Sequence, residues 1–182
     1  MKCLPLLFAL LLFVLCRPGN AKGDTTRDKL AYYSHVDTIF KSSAPILRRF
    51  SLMLRKENQL QRQLFFHHIT QKQYAARTAK SSDWLNIIPS VRLAVHPFEA
   101  IKPVPPAMAQ ANSQLAFFAE SMNKGLTELQ VWVRSKRKND LGVADLDLEM
   151  AFSSYFVGAK MIRSQWQSIE KQRAVAARRA LE

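Results

Sequence analysis

Residues 148–169 read LEMAFSSYFVGAKMIRSQWQSI. Large apolar side chains recur in this stretch at alternating steps of four and three, which is the spacing of one face of an α-helix. They are Leu148, Phe152, Tyr155, Ala159, Ile162, Trp166 and Ile169. The spacing resumes at Ala176 and Ala180, and only Arg173 interrupts it. The stretch therefore predicts a long amphipathic helix that buries one apolar stripe.

A second stripe of the same kind lies just before it. Its members are Ala111, Leu115, Phe118, Met122, Leu126, Leu129 and Val133. The stripe follows Pro105-Pro106, which suits the first turn of a helix. A turn is expected at residues 139–142, because Asn, Asp and Gly occur there. Residues 106–182 are thus predicted to form a hairpin of two long helices.

The residues before this hairpin have a less regular pattern. We expect a first helix over residues 27–41, a break at residues 42–45, and a second helix over residues 45–80. The inward side chains of the first helix are predicted to be Leu30, Tyr33 and Phe40. Residues 81–105 contain four prolines, so they are expected to cross the bundle with one helical turn at residues 84–88 and then to run extended along its surface.

Residues 1–21 have the features of a secretory signal peptide. Lys2 precedes an apolar run of about a dozen residues, and small residues end the segment at Ala21. A helix needs about 20 apolar residues to span a bilayer, so a retained anchor is disfavoured. We expect a secreted protein with one domain over residues 22–182. Its predicted fold is all-α, an up-and-down bundle of three long helices plus a shorter N-terminal helix.

Cysteine content and net charge limit the kinds of site and partner that are expected. Cys3 and Cys16 both lie in the predicted signal peptide, so thiol nucleophiles and thiolate metal sites are not expected after its removal. Loss of Lys2 and Arg17 leaves 25 of the 27 basic residues against 14 acidic ones, a net charge of +11. Outside the cytosol this charge favours anionic lipid or an acidic or glycosylated polymer over nucleic acid. A role in solubility alone is the alternative.

Two basic clusters and a set of aromatic residues are the candidate contact sites. The first cluster is Arg48, Arg49, Arg55, Lys56 and Arg62. The second cluster is Arg134, Lys136, Arg137 and Lys138. The candidate apolar contacts are Phe65, Phe66, Phe117 and Trp132. Simpler interpretations stay open: a solvated face for the first cluster, compensation of a helix dipole for the second, and core filling for the adjacent phenylalanines.

No residue set points to catalysis. The four histidines lack the i, i+4 spacing of a helical zinc pair. Asp145, Asp147 and Glu149 are expected in the first turn of the last helix, where the helix dipole favours negative charge. No nucleophile elbow, phosphate loop or dinucleotide fingerprint occurs in the sequence. We therefore expect a protein that is not an enzyme and that uses no cofactor or metal.

The last two helices also resemble those of the sperm lysin family of marine gastropods. The shared features in the last helix are Leu148-Glu149-Met150-Ala151-Phe152, Phe156, Lys160, Met161-Ile162 and Trp166. In the preceding helix they are Phe117-Phe118 and Val131-Trp132-Val133-Arg134-Ser135-Lys136. The processed chain is closer in size to the acrosomal paralogue of lysin than to lysin itself. In that family the paralogue is associated with membrane fusion. The resemblance covers about a third of the processed chain.

The resemblance implies a non-enzymatic protein that is stored in the sperm acrosome and acts at fertilization. Its partner would be the egg plasma membrane, with anionic lipid as the binding surface. The alternative within the family is dissolution of the egg vitelline envelope through glycoprotein binding. A third hypothesis is an exported bacterial helical bundle that acts as a chaperone or adaptor. The sequence leaves the oligomeric state open, a homodimer included.

Overall fold

The structure is a computed structural model that describes residues 25–135 and 138–179, without the side chains of residues 138–140. The predicted signal peptide lies outside these residues. The described residues form α-helices and short 3₁₀ turns and contain no β-strand, so the fold is all-α. The helices are α1 (Thr26–Phe65), α2 (Gln71–Arg77), α3 (Ser81–Val95), α4 (Ala109–Ser135) and α5 (Lys138–Arg179). The 3₁₀ turns are His96–Phe98 and Pro106–Met108.

The predicted hairpin is present as α4 and α5, which make the most extensive helix contact among the described residues. Every member of the predicted α4 stripe is buried. In α5, Leu148, Ile162 and Ile169 are buried and the other members up to that point are half-buried. Residues 170–179 are all exposed, Ala176 included, so the stripe stops contributing to the core after Ile169.

The start of α5 differs from the prediction. The helix begins at Lys138, so residues 139–142 are helical and do not form the expected turn. Residues 136 and 137 connect the two helices and lie outside the described part of the chain. The turn was predicted from Asn139, Asp140 and Gly142, which are common in turns. Such residues are also tolerated in the first turns of a helix, because packing of the later residues stabilises it.

The predicted break at residues 42–45 was wrong, because α1 runs through it. Pro45 lies on the exposed side of α1. One buried stripe passes through the proline without interruption; it consists of Tyr32, Val36, Ile39, Ser43, Leu47, Phe50, Leu54, Glu57 and Leu60. Burial of this stripe outweighs the hydrogen bond that a proline removes from a helix. The expected inward residues Leu30, Tyr33 and Phe40 flank the stripe and are only half-buried.

The predicted helix over residues 45–80 was also wrong, since α1 ends at Phe65. The amide of His67 donates to the carbonyl of Leu64 (3.1 Å), and the amide of His68 donates to that of Gln63 (2.8 Å). These two bonds form a Schellman motif, and His67 takes the left-handed conformation (φ 57°) that glycine usually supplies. The end of α1 was missed because no glycine marks it.

The predicted surface segment at residues 81–105 was wrong as well. Most of it is α3, a helix of 15 residues that contains Pro89. Five of its side chains are buried against α1 and α4; they are Trp84, Ile87, Ile88, Val91 and Val95. Just after it, Phe98 is fully buried and lies 5.2 Å from Phe118 and 5.5 Å from Phe40, measured between ring centroids. The segment thus forms part of the core.

Candidate functional site

The first basic cluster lies along one exposed face of α1. All five of its side chains are exposed. At 100° per residue, Arg48, Arg49, Arg55, Lys56 and Arg62 project within less than half of the helix circumference. None of the five forms an ion pair with another described residue. We call this surface the basic face of α1.

Glu57 is the one acidic residue between Arg48 and Arg62, and it is absent from the basic face. Its side chain is 1% exposed and points into the bundle. The Tyr74 hydroxyl donates to Glu57 Oε1 (2.5 Å), and the Thr78 hydroxyl donates to Oε2 (2.6 Å). Burial, followed by the hydrogen bond to Glu57, raises the pKa of Tyr74 above its usual value, so this hydroxyl stays a donor. The basic face therefore carries five positive charges and no acidic side chain.

Two exposed phenylalanines stand at the C-terminal end of the basic face. Phe65 is 60% exposed and Phe66 is 63% exposed, and their rings meet edge to face at 5.1 Å. Phe66 lies two heptads after Leu52, which is also exposed, so the two project from the same side of α1. Core filling by this phenylalanine pair is therefore wrong. A large exposed apolar pair beside five cations is a feature of surfaces that bind partners or membranes.

A partly open cleft of about 970 Å³ lies beside the phenylalanine pair, between the end of α1, α2 and α4. Its apolar lining consists of Leu64, Phe65, Ile69, Ala75 and Trp132. Gln61, Tyr74 and Thr78 also line it. Sequence analysis missed the cleft because it missed α2.

One sequence signal could have located α2. Thr70-Gln71-Lys72-Gln73 has the spacing of a capping box, which marks the start of a helix. The Thr70 hydroxyl accepts from the Gln73 amide (3.2 Å), and Gln73 Oε1 accepts from the Thr70 amide (2.8 Å). This capping box indicates that a new helix begins at residue 71, which would have divided the predicted helix over residues 45–80 into α1 and α2.

The second basic cluster lies mostly outside the described residues. Arg134 is exposed near the end of α4. Lys136 and Arg137 are not described, and Lys138 begins α5 with its side chain not described. The cluster therefore stays a prediction.

The two remaining candidate aromatics differ in exposure. Phe117 is half exposed on α4 and is available for contact. Trp132 was wrongly predicted as a surface contact, since it is 3% exposed and its ring meets that of Trp84 edge to face at 6.1 Å. The unexpected helix α3 covers it. Trp132 also lines the cleft.

Two of the acidic residues of α5, Asp145 and Asp147, have structural partners. Asp145, Asp147 and Glu149 lie in the third turn of α5 or beyond, so the dipole explanation for them was wrong. Asp147 is buried and pairs with Lys124 Nζ at 3.0 Å, and Asp145 accepts from Asn58 at 2.6 Å. Burial, with Asp147 as second cause, raises the pKa of the Glu128 carboxyl.

The described residues contain no candidate metal site and no membrane-spanning helix. No group of His, Cys, Asp and Glu in this part of the chain has the geometry of a metal site. None of the helices there combines the length and apolar character needed to cross a membrane.

In comparisons with known proteins, no family model, no curated protein and no solved structure matches this chain.

Proposed function

We propose that this is a non-enzymatic secreted protein of the sperm acrosome that acts in fertilization by binding and merging membranes at the egg surface. The observation that supports the proposal best is the basic face of α1. It has five cations that form no ion pair with the described residues, it contains no acid, and it ends in Phe65 and Phe66. The resemblance of the last two helices to sperm lysins suggests the setting.

The physics of this surface suits an anionic membrane. A basic residue near an anionic bilayer contributes about 1 kcal/mol, and the five contributions share one face of a rigid helix. Burial of a phenylalanine side chain adds about 1.5 to 3 kcal/mol. Cations attract the protein to the headgroups, and the phenylalanine pair then enters the boundary between headgroups and acyl chains.

The proposal includes an up-and-down order for the three long helices α1, α4 and α5. A two-residue connection favours antiparallel packing of α4 and α5. This order would leave the outer face of α1 free along its whole length, as membrane contact requires.

The test is binding of the chain after signal removal to vesicles of anionic lipid, compared for two charge-matched triple variants. One variant changes Arg48, Arg55 and Arg62 to Gln. The other changes Arg163, Lys171 and Arg173 to Gln, which removes three equally exposed cations from α5. Three contributions of about 1 kcal/mol predict a roughly hundredfold loss of affinity for the α1 variant.

The control variant should lose far less affinity, and binding by the unaltered chain should weaken as salt screens the charges. Equal losses in the two variants would mean that net charge alone governs binding, and the assignment to α1 would fail. Undiminished binding by the α1 variant would reject the site. Saturable binding to isolated egg envelopes without binding to vesicles would favour the lysin-like alternative.

A further inference from the structure

The cleft beside Phe65 has the size and lining of a site for an apolar ligand. Its volume of about 970 Å³ is near the upper end of the range of about 300 to 1,000 Å³ that is usual for small-ligand sites. No Asp, Glu, Lys or Arg of the described residues lines it. Its apolar lining combines side chains from α1 and α4, including Leu64 and Trp132.

Four polar side chains that line this cleft already form hydrogen bonds; they are Gln61, Thr70, Tyr74 and Thr78. The lining also includes His67 and Gln71, which are both exposed. The Tyr74 and Thr78 hydroxyls donate to Glu57, and Gln61 Nε2 donates to the Tyr74 hydroxyl at 3.3 Å. A polar ligand would have to compete with these bonds, whereas an apolar chain would leave them intact. The cleft therefore favours hydrocarbon over a sugar, nucleotide or peptide amide.

The surroundings of the cleft are positively charged. Residues 58–82 contain no Asp or Glu. Arg62, Lys72 and Arg77 each lie next in sequence to a residue that lines the cleft, and all three are exposed. The charged side chains that the end of α1 and α2 place next to the cleft are thus all basic.

We propose that this cleft binds one acyl chain of an anionic lipid, with the headgroup at the cations that flank its mouth. The inference rests on the proposed function, since the membrane bound by the basic face is the source of the lipid. The chain would enter beneath α2, which has no fully buried residue and is held to α1 by hydrogen bonds from Tyr74 and Thr78 to Glu57. A lipid drawn partly out of its leaflet in this way would start the merging of the membranes.

Two alanines of α2 give a matched test. Ala75 lines the cleft, and its neighbour Ala76 is exposed and does not. Ala75→Phe should fill the cleft, and Ala76→Phe should add the same ring to the solvent side. The probes are lysophosphatidylglycerol and lysophosphatidylcholine with the same acyl chain, below their critical micelle concentrations. Isothermal titration gives the affinity and native mass spectrometry the stoichiometry.

The unaltered chain should bind one lysophosphatidylglycerol, at least fivefold more tightly than lysophosphatidylcholine. Ala75→Phe should weaken this binding at least tenfold, and Ala76→Phe should stay within twofold of the unaltered chain. Absence of saturable one-to-one binding, equal affinity for the two lipids, or equal affinity of the two variants would overturn the inference.

Vesicle binding separates this inference from the proposed function. Ala75→Phe should still bind anionic vesicles, because the basic face is unchanged. A chain that binds vesicles and no single lipid would refute the cleft site and leave the proposed function standing. A chain that binds the single lipid and no vesicles would refute the proposed function and leave the cleft site standing.

Discussion

The hairpin of α4 and α5 and the part of the fold formed by α1, α2 and α3 are built on different principles. The hairpin is held by two long apolar stripes in direct contact, with Gly125 and Gly158 at points of close approach. In the other half, prolines lie inside helices, a histidine ends α1, and a buried carboxylate joins α1 to α2. The irregular half also carries the basic face, the phenylalanine pair and most of the residues that line the cleft. Strict periodicity identifies the scaffold, and departures from it mark the places where function is expected.

The largest expected effect is loss of the Trp84 side chain, which connects the two halves. Trp84 is fully buried and meets Phe50 of α1 and Trp132 of α4. Trp84→Ala should lower the free energy of unfolding by about 3 to 5 kcal/mol. Leu93→Ala in the same helix is the control, since Leu93 is 75% exposed, and should change it by less than about 0.5 kcal/mol. Urea denaturation measures both; similar values would contradict the burial of Trp84 between the two halves.

A smaller loss is expected when Glu57 is removed. Glu57→Ala would leave the Tyr74 and Thr78 hydroxyls without their acceptor, which should cost about 1 to 3 kcal/mol. Glu120→Ala, at an exposed position of α4, should cost less than about 0.5 kcal/mol. Hydrogen exchange should also show faster exchange in α2 for the Glu57 variant alone. Unchanged protection of α2 would contradict the role of Glu57 as its attachment.

The smallest effects concern two glycines and should have opposite signs. A Cβ at Gly125 would come within 2.8 Å of Leu148 Cγ. The cost of this close contact should exceed the gain in helix propensity from alanine, so Gly125→Ala should lower the free energy of unfolding by about 1 kcal/mol. A Cβ at Gly142 would meet nothing within 4 Å, so Gly142→Ala should raise stability by about 0.5 to 1 kcal/mol. Thermal unfolding measures both. A destabilising Gly142→Ala would indicate the turn that the sequence predicted.

The sequence was sufficient to predict the all-α class and both stripes of the hairpin, because a stripe of seven residues at helical spacing has no other stable interpretation. It was insufficient where single residues override a local rule. Pro45 and Pro89 lie inside helices because their neighbours bury enough surface to compensate, and His67 ends a helix in a conformation that glycine normally marks. Burial of that kind depends on the partner helix, which periodicity alone does not reveal.

Only part of the candidate site could be predicted, again because burial depends on helices that the sequence pattern does not reveal. The basic residues of α1 and the phenylalanine pair could be named from composition and neighbourhood, and the structure finds them exposed. Trp132 was misassigned because its cover, α3, was not foreseen. The role of Glu57 could not be predicted, because its two hydroxyl partners come from residues 17 and 21 positions later, which no local pattern connects.

The most direct test of the account is lipid mixing by residues 22–182 on anionic and neutral vesicles at low and high salt. The account predicts mixing that requires anionic lipid and weakens as salt rises. Replacing Phe65 and Phe66 with Ser should abolish mixing and leave the folded state intact by circular dichroism, since both side chains are exposed. Replacing the half-exposed Phe117 alone should reduce mixing less. Absence of mixing under all conditions, or equal mixing on neutral vesicles, would contradict the central claim.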